Sequence, residues 1–202
     1  IDIYLNHHNL FSIADFPMTE RVNYVLPLNR PYEEIANDYR TNLKRNIKKA
    51  EQSGLIVKEN IALDEILALA GETMQRVSAI SDEQLNRFRN VYEAARKNQQ
   101  AELIGIYSAT NQLLASAVFL FSHNRWYYIL VGNHPNGKTL GASHYLIDRF
   151  IHQHAETETL LDFEGSDIRN LAFFYSSYGA AEERYPALRM NRLPKLLKWL
   201  KE

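Results

Sequence analysis

Between residues 32 and 54 the apolar side chains fall at Ile35, Tyr39, Leu43, Ile47 and Ala50, a spacing of four and three that predicts one helix ending at Gly54. From residue 101 the period changes. AELIGIYSA, LLASAVFLF and RWYYILVG read as three strands, separated by the turn-like TNQ and SHN. Links that short join only antiparallel neighbours, because a parallel connection needs a crossover of about a dozen residues or more. Upstream, RVNYVLPL (21–28) predicts a short strand stopped by Pro27 and Pro31, and LIVKE predicts a second. Asp64 and Ser81 are placed to cap helices over EILALAGETMQRV and DEQLNRFRNVYEAARKNQ. After the three strands come the loop NHPNGKT, a helix over about 141–155, a strand in TLLDFEG, a helix in IRNLAFFYSSYG and a strand within EERYPALRM. The tail LPKLLKWLKE reads as a short amphipathic helix, and residues 1–21 as an arm or the remnant of an upstream region.

At 202 residues the chain is long enough for one well-cored domain, and 46% hydrophobic with 23% charged residues is ordinary for a globular protein. The formal net charge of -1 leaves no global basic field for nucleic acid, so local patches have to carry any such role. The absence of cysteine excludes disulfides, thiolate nucleophiles and cysteine metal sites, and suits a reducing, cytoplasmic compartment. No apolar run approaches the roughly 20 residues of a membrane span. The first residue is Ile1, so the reading allows for a longer parent chain.

GNHPNGKT (132–139) fits G-x-x-x-x-G-K-[ST], the loop whose N–H groups cradle a nucleotide triphosphate, with Lys138 on the terminal phosphates and Thr139 on magnesium. The order of elements argues against it. A P-loop domain feeds that loop from a mostly parallel sheet and continues through several more crossovers. Here the feeding strand ends an antiparallel meander, and too few elements remain.

The same order, three antiparallel strands, a glycine-bearing loop opening a helix, then strand, helix and strand, resembles the GNAT acyltransferase fold, a mixed α/β (α+β) sheet. Lys138-Thr139-Leu140-Gly141-Ala142-Ser143 resembles that family's pyrophosphate pattern [Q/R]-x-x-G-x-[G/A] at a helix N-terminus. Tyr175, four residues before Gly179, resembles the family tyrosine that faces the sulfur of coenzyme A. DYRTNLKRNIKKAEQSGLIV and LLDFEGSDIRNLAFFYSSYGA resemble the Fem-type branch, the peptidoglycan aminoacyl transferases. The resemblance implies a GNAT-like domain over 22–202 that moves an acyl group, most simply acetyl from acetyl-coenzyme A, onto a small-molecule or peptide amine. Donor binding then falls to Leu130 and Val131 on the strand and to Lys138, Thr139, Gly141, Ala142 and Ser143 at the helix start. An N–H near Val131 would face the oxyanion, and Tyr175 would protonate the leaving thiolate. The alternatives are a Fem-type enzyme with an aminoacyl-tRNA donor, acting on a cell-wall precursor, and a non-catalytic module that keeps the fold.

Each candidate also has a plain structural reading. WYYILV suits any central strand, and Tyr175 any aromatic core stripe. Asp162 and Glu164 alternate on a strand, so they share a face; one of them is a candidate general base, and both could equally be a strand-end charge pair. Arg40, Lys44 and Lys48 recur every four residues with Arg45 and Lys49 alongside, a basic face for a phosphorylated substrate, tRNA or lipid head group, or simply a solvated one. His144, Asp148 and His152 share a helix face, but the histidines are about 12 Å apart along the axis, too far for one metal, and none is expected.

Overall fold

The computed structural model describes residues 2–9, 18–74, 81–165 and 167–190. The amphipathic tail expected at 193–202 and the end of the helix expected to run to Val77 lie outside them. The described chain forms β1 (Asp2–Tyr4), β2 (Met18–Pro27), α1 (Tyr32–Asn37), α2 (Thr41–Gln52), β3 (Ile56–Glu59), α3 (Leu63–Met74), α4 (Asp82–Lys97), β4 (Ala101–Tyr107), β5 (Leu113–Ser122), β6 (Arg125–Asn133), α5 (Pro135–Leu140), α6 (Ala142–His154), β7 (Leu160–Asp162), α7 (Arg169–Ser176) and β8 (Ala181–Arg189). One eight-stranded sheet runs in the order β1-β8-β2-β7-β6-β5-β4-β3, and every neighbouring pair is antiparallel except β6 with β7. This is the mixed α/β sheet that the order of patterns predicted.

Strand alternation sorts the core into two layers. Ile104, Ala117, Phe119, Trp126 and Leu161 point to one face, where they meet Leu43 and Ile47 of α2 and Leu146, Ile147 and Phe150 of α6. Phe119 and Phe150 are fully buried and stack at 3.7 Å, each contributing about 2–3 kcal/mol by burial. Leu103, Val118 and Ile129 point the other way, under Ile66 of α3 and Tyr92 of α4. No helix of the described residues is long and apolar enough to cross a membrane.

Four expectations change. The helix expected over 32–54 is two helices, because Arg40 is extended (ψ 151°) and its N–H donates to the carbonyl of Ser177, while Gly179 closes onto Asp38. Asp64 lies inside the first turn of α3 rather than at its cap, and pairs with Arg89. Ser81 does cap α4, in a reciprocal pair with Gln84. At the N-terminus, β1 pairs with β8 and β2 begins at Met18, so the boundary expected near residue 21 falls inside a strand. Finally, NHPNGKT is a helical turn and no phosphate loop. A Cβ on Gly137 would meet the Leu114 carbonyl oxygen at 2.2 Å, and one on Gly132 would meet Ser116 and α3 at 2.7–3.0 Å. Both glycines are there for close packing.

Candidate functional site

The parallel pair β6 and β7 holds together only over Arg125–Tyr127 and Leu160–Asp162. Beyond that β6 continues to Asn133 while β7 stops. The chain after Asp162 is drawn away from β6 and toward β2. Phe163 N–H donates to the Tyr24 carbonyl (3.0 Å), Glu164 N–H to Asp162 Oδ1 (2.7 Å) and Gly165 N–H to Asn23 Oδ1 (2.6 Å). Glu164 (φ 58°) and Gly165 (φ 45°) are both left-handed, a strained conformation for a glutamate that persists only because these bonds fix it. On the other side of the gap, β6 bulges. The register passes from Val118 opposite Ile129 to Ser116 opposite Gly132, so Leu130 (φ 45°) and Val131 together face Ala117. The bulge sends Leu130 to the α3 layer and Val131 to the α6 layer.

Tyr175 of α7 approaches this divergence from the helical side. Its ring stacks on Phe163 at 4.8 Å, meets Tyr128 edgewise at 6.5 Å and lies tilted to Tyr24 at 6.4 Å. Burial, and secondarily the Glu164 carboxylate, push its hydroxyl up to about 12, so it stays a proton donor at neutral pH. Glu164 remains solvent-accessible, yet its carboxyl sits in a recess where desolvation first and the Asp162 charge second raise its pKa above the usual carboxylate value. The Tyr175 hydroxyl thus feels the Glu164 carboxylate near the mouth of the gap.

Under Glu164 lies a buried polar network. Arg125 donates to Asp162 Oδ2 (2.7 Å) and to both oxygens of Glu183 (2.7 and 3.0 Å), while Asn23 Nδ2 donates to Asp162 Oδ1 (2.9 Å). The Glu183 bond, offset in part by burial, holds the guanidinium charged; burial raises Glu183, but Arg125 more than offsets this and leaves its carboxyl below the ordinary value. Asp162 accepts on both oxygens, which suits a positioning role and leaves Glu164 as the carboxylate open to solvent. The sequence places the two on one strand face; the structure ends the strand at Asp162 and turns Glu164 out of it.

The remaining candidates divide. Lys138 and Thr139 are exposed on the last turn of α5. Gly141 (φ 75°) joins α5 to α6 and presses against the Asn46 carbonyl, Ala142 is fully buried, and the Ser143 hydroxyl donates to Asn133. Arg40, the residue that precedes α2, lies 4.8 Å over the Phe173 ring, Lys44 donates to the Asn37 carbonyl, and Lys44 and Lys48, one turn apart on α2, border the same recess. His144 packs on Phe174, Asp148 accepts from the Tyr32 hydroxyl at 2.7 Å, and His152 meets the Tyr32 ring edge-to-face. Sequence reasoning passed over Asn23, Arg125 and Glu183. The only signal was a polar residue interrupting or opening an apolar strand, RVNYVL and RWYYILVG.

The stretch that holds the splayed pair and the β-bulge falls within a family match: residues 37–168 fit the acetyltransferase (GNAT) domain, well over half of the chain. The chain belongs to the GNAT acetyltransferase-domain family. No curated protein matches this GNAT chain significantly. Its fold is similar to the crystal structure of FemX (TM-score 0.69, 13% identity, covering 100% of this chain and 68% of FemX). It is also similar to L-PGS from Bacillus licheniformis (0.55, 11%, 92% and 65%) and to a GCN5-related N-acetyltransferase from Sphaerobacter thermophilus (0.55, 9%, 89% and 54%). At these identities the likeness is one of fold. The GNAT chain spans about two thirds of the length of FemX and L-PGS.

Proposed function

We propose that the chain is an N-acyltransferase that moves an acyl group, in the simplest case acetyl, from a coenzyme A thioester to a primary amine. The observation that carries this reading is the divergence of β6 and β7 beside the β6 bulge, with Tyr175 packed on Phe163 at the point where the chain leaves β7. As the amine nitrogen bonds to the acyl carbon, Glu164 takes the amine proton; as the carbon–sulfur bond breaks, Tyr175 gives its proton to the sulfur, and the two residues then re-equilibrate through solvent. The N–H groups of the bulged Leu130–Val131 segment are the candidates for the carbonyl oxygen. Lys138 and the first-turn N–H groups of α6 would hold the donor's phosphates, with Gly141 serving packing.

One observation favours a second donor. Gly141 against Asn46 and the buried Ala142 narrow the helix start where a pyrophosphate would sit, which suits an aminoacyl ester carried by tRNA better than a coenzyme. Isothermal titration with acetyl-coenzyme A, beside a thiol-release assay with simple amines, decides between them. Heat that is weakened in Lys138→Glu, with thiol release, is the expected result. No heat and no thiol release, with consumption of aminoacyl-tRNA, would replace the donor.

A further inference from the structure

The face of the sheet that α3 and α4 cover over β4–β6 is left open over β7, β2 and β8 among the described residues. Two adjoining recesses of about 620 and 400 Å³ lie there and share Arg125, Tyr127, Glu183 and His7 in their walls. The first reaches Glu158 and the second reaches Glu164, so together they form one groove leading to the carboxylate at the mouth of the divergence. We propose that this groove is the acceptor side of the site, that it takes a hydrophilic amine carrying a second positive charge, a diamine or polyamine in chemistry, and that it turns away amines bearing phosphate or carboxylate. The proposal rests on the acyl-transfer reading and deepens it.

Both guanidinium groups of the groove face carboxylates of the chain itself. Arg125 forks onto Glu183 and reaches Asp162, with its side chain only 14% exposed, and Arg21, the other cation of the second recess, is paired with Asp167. Among the described residues, an incoming phosphate therefore meets guanidinium groups that already face carboxylates, together with the carboxylates of Glu158, Glu164 and Glu183. Glu158 and Glu164, by contrast, are ion-paired to no described residue, and each lines a different one of the two recesses. They are six positions apart along a chain that rises about 3.3 Å per residue, an upper bound of about 20 Å, so one carboxylate can hold a distal ammonium while the other serves the reacting amine. Tyr127 forms part of the wall between them, and its ring offers a cation a π face. The partly buried triad of Arg125, Asp162 and Glu183 lies between them in the lining of the recesses. Desolvating three charges is costly, and in an open recess its return is a lining of fixed shape and sign.

The test has a binding arm without donor and a kinetic arm. Titration with spermidine is expected to give saturable heat, and titration with phosphoethanolamine none. With acetyl-coenzyme A as donor, kcat/KM for cadaverine should exceed that for pentylamine by about tenfold, the worth of one partly desolvated charge pair. Glu158→Lys, at an exposed position, should erase that advantage, bringing cadaverine and pentylamine to equal kcat/KM. Equal binding of spermidine and phosphoethanolamine, or faster turnover of an acidic amine such as aminohexanoate, overturns the proposal. Spermidine binding that Glu158→Lys abolishes, with no turnover of any amine from either donor, supports the cationic groove and overturns the acyl-transfer reading instead.

Discussion

Gly137→Ala separates the two readings of GNHPNGKT, because the structure gives this glycine a packing role alone. An added Cβ would lie 2.2 Å from the Leu114 carbonyl oxygen and 2.9 Å from its carbon, so α5 must lift by about 1 Å to reach ordinary contact. The same carbonyl accepts the His134 N–H at 2.9 Å, so the lift also strains a hydrogen bond at the start of the helix. Overpacking costs about 1–3 kcal/mol and the weakened bond about 0.5–1.5, against a gain of about 0.5–1 for alanine in a helix. The expected net loss is about 2–3 kcal/mol. With a urea slope of about 3 kcal/mol/M, the unfolding midpoint falls by about 1 M. Gly54→Ala is the control: Gly54 has φ 64° with nothing within 4 Å of the new atom, so it pays only the left-handed term of about 1 kcal/mol. Wild-type or higher stability in Gly137→Ala would refute the docking of α5 on β5 and return the loop to consideration as a ligand site.

Tyr175→Phe keeps the ring stack on Phe163 and removes the proton donor, so kcat should fall about 100-fold while the affinity for donor and the urea midpoint stay within error. Unchanged kcat would remove Tyr175 from the chemistry. His144 titrates near 4 in the folded chain, lowered by burial from its ordinary 6.5. Its contribution is fully present above about pH 6.5 and is lost as pH falls toward 4, because only the unfolded chain takes the proton; the loss reaches up to about 3 kcal/mol. Urea unfolding from pH 7.5 to 4 should show a slope that is shallower in His144→Gln, and parallel curves would contradict the buried neutral imidazole.

Much of the architecture is local and therefore legible. Alternating apolar residues joined by TNQ and SHN leave antiparallel pairing as the only arrangement for β4–β6, and Ser81 with Gln84 writes the start of α4 within four letters. The helix break at Asp38–Arg40 is not local, because its cause is the carbonyl of Ser177, far along the chain. The turn of α5 hides behind Gly, Asn and Pro, residues that signal a loop until the Leu114 carbonyl makes a side chain at 137 impossible. For the candidate site the division is sharper. Tyr175 and Glu164 stand out from their neighbours in sequence, but the partners that hold Glu164 are remote. Asn23 lies 142 positions from Gly165 and Arg125 lies 58 from Glu183.

The sequence by itself determined which segments alternate, which are amphipathic, the order in which they follow, and hence a GNAT-type sheet, because periodicity and turn chemistry act over a few residues. Only the tertiary structure decided that Asp162 is occupied and Glu164 open, that Arg40 is drawn over Phe173 at the break between α1 and α2, and that one half of the sheet is a charged groove. Those outcomes depend on hydrogen bonds and ion pairs between strands distant in sequence, where no local preference records which partner a polar side chain will meet.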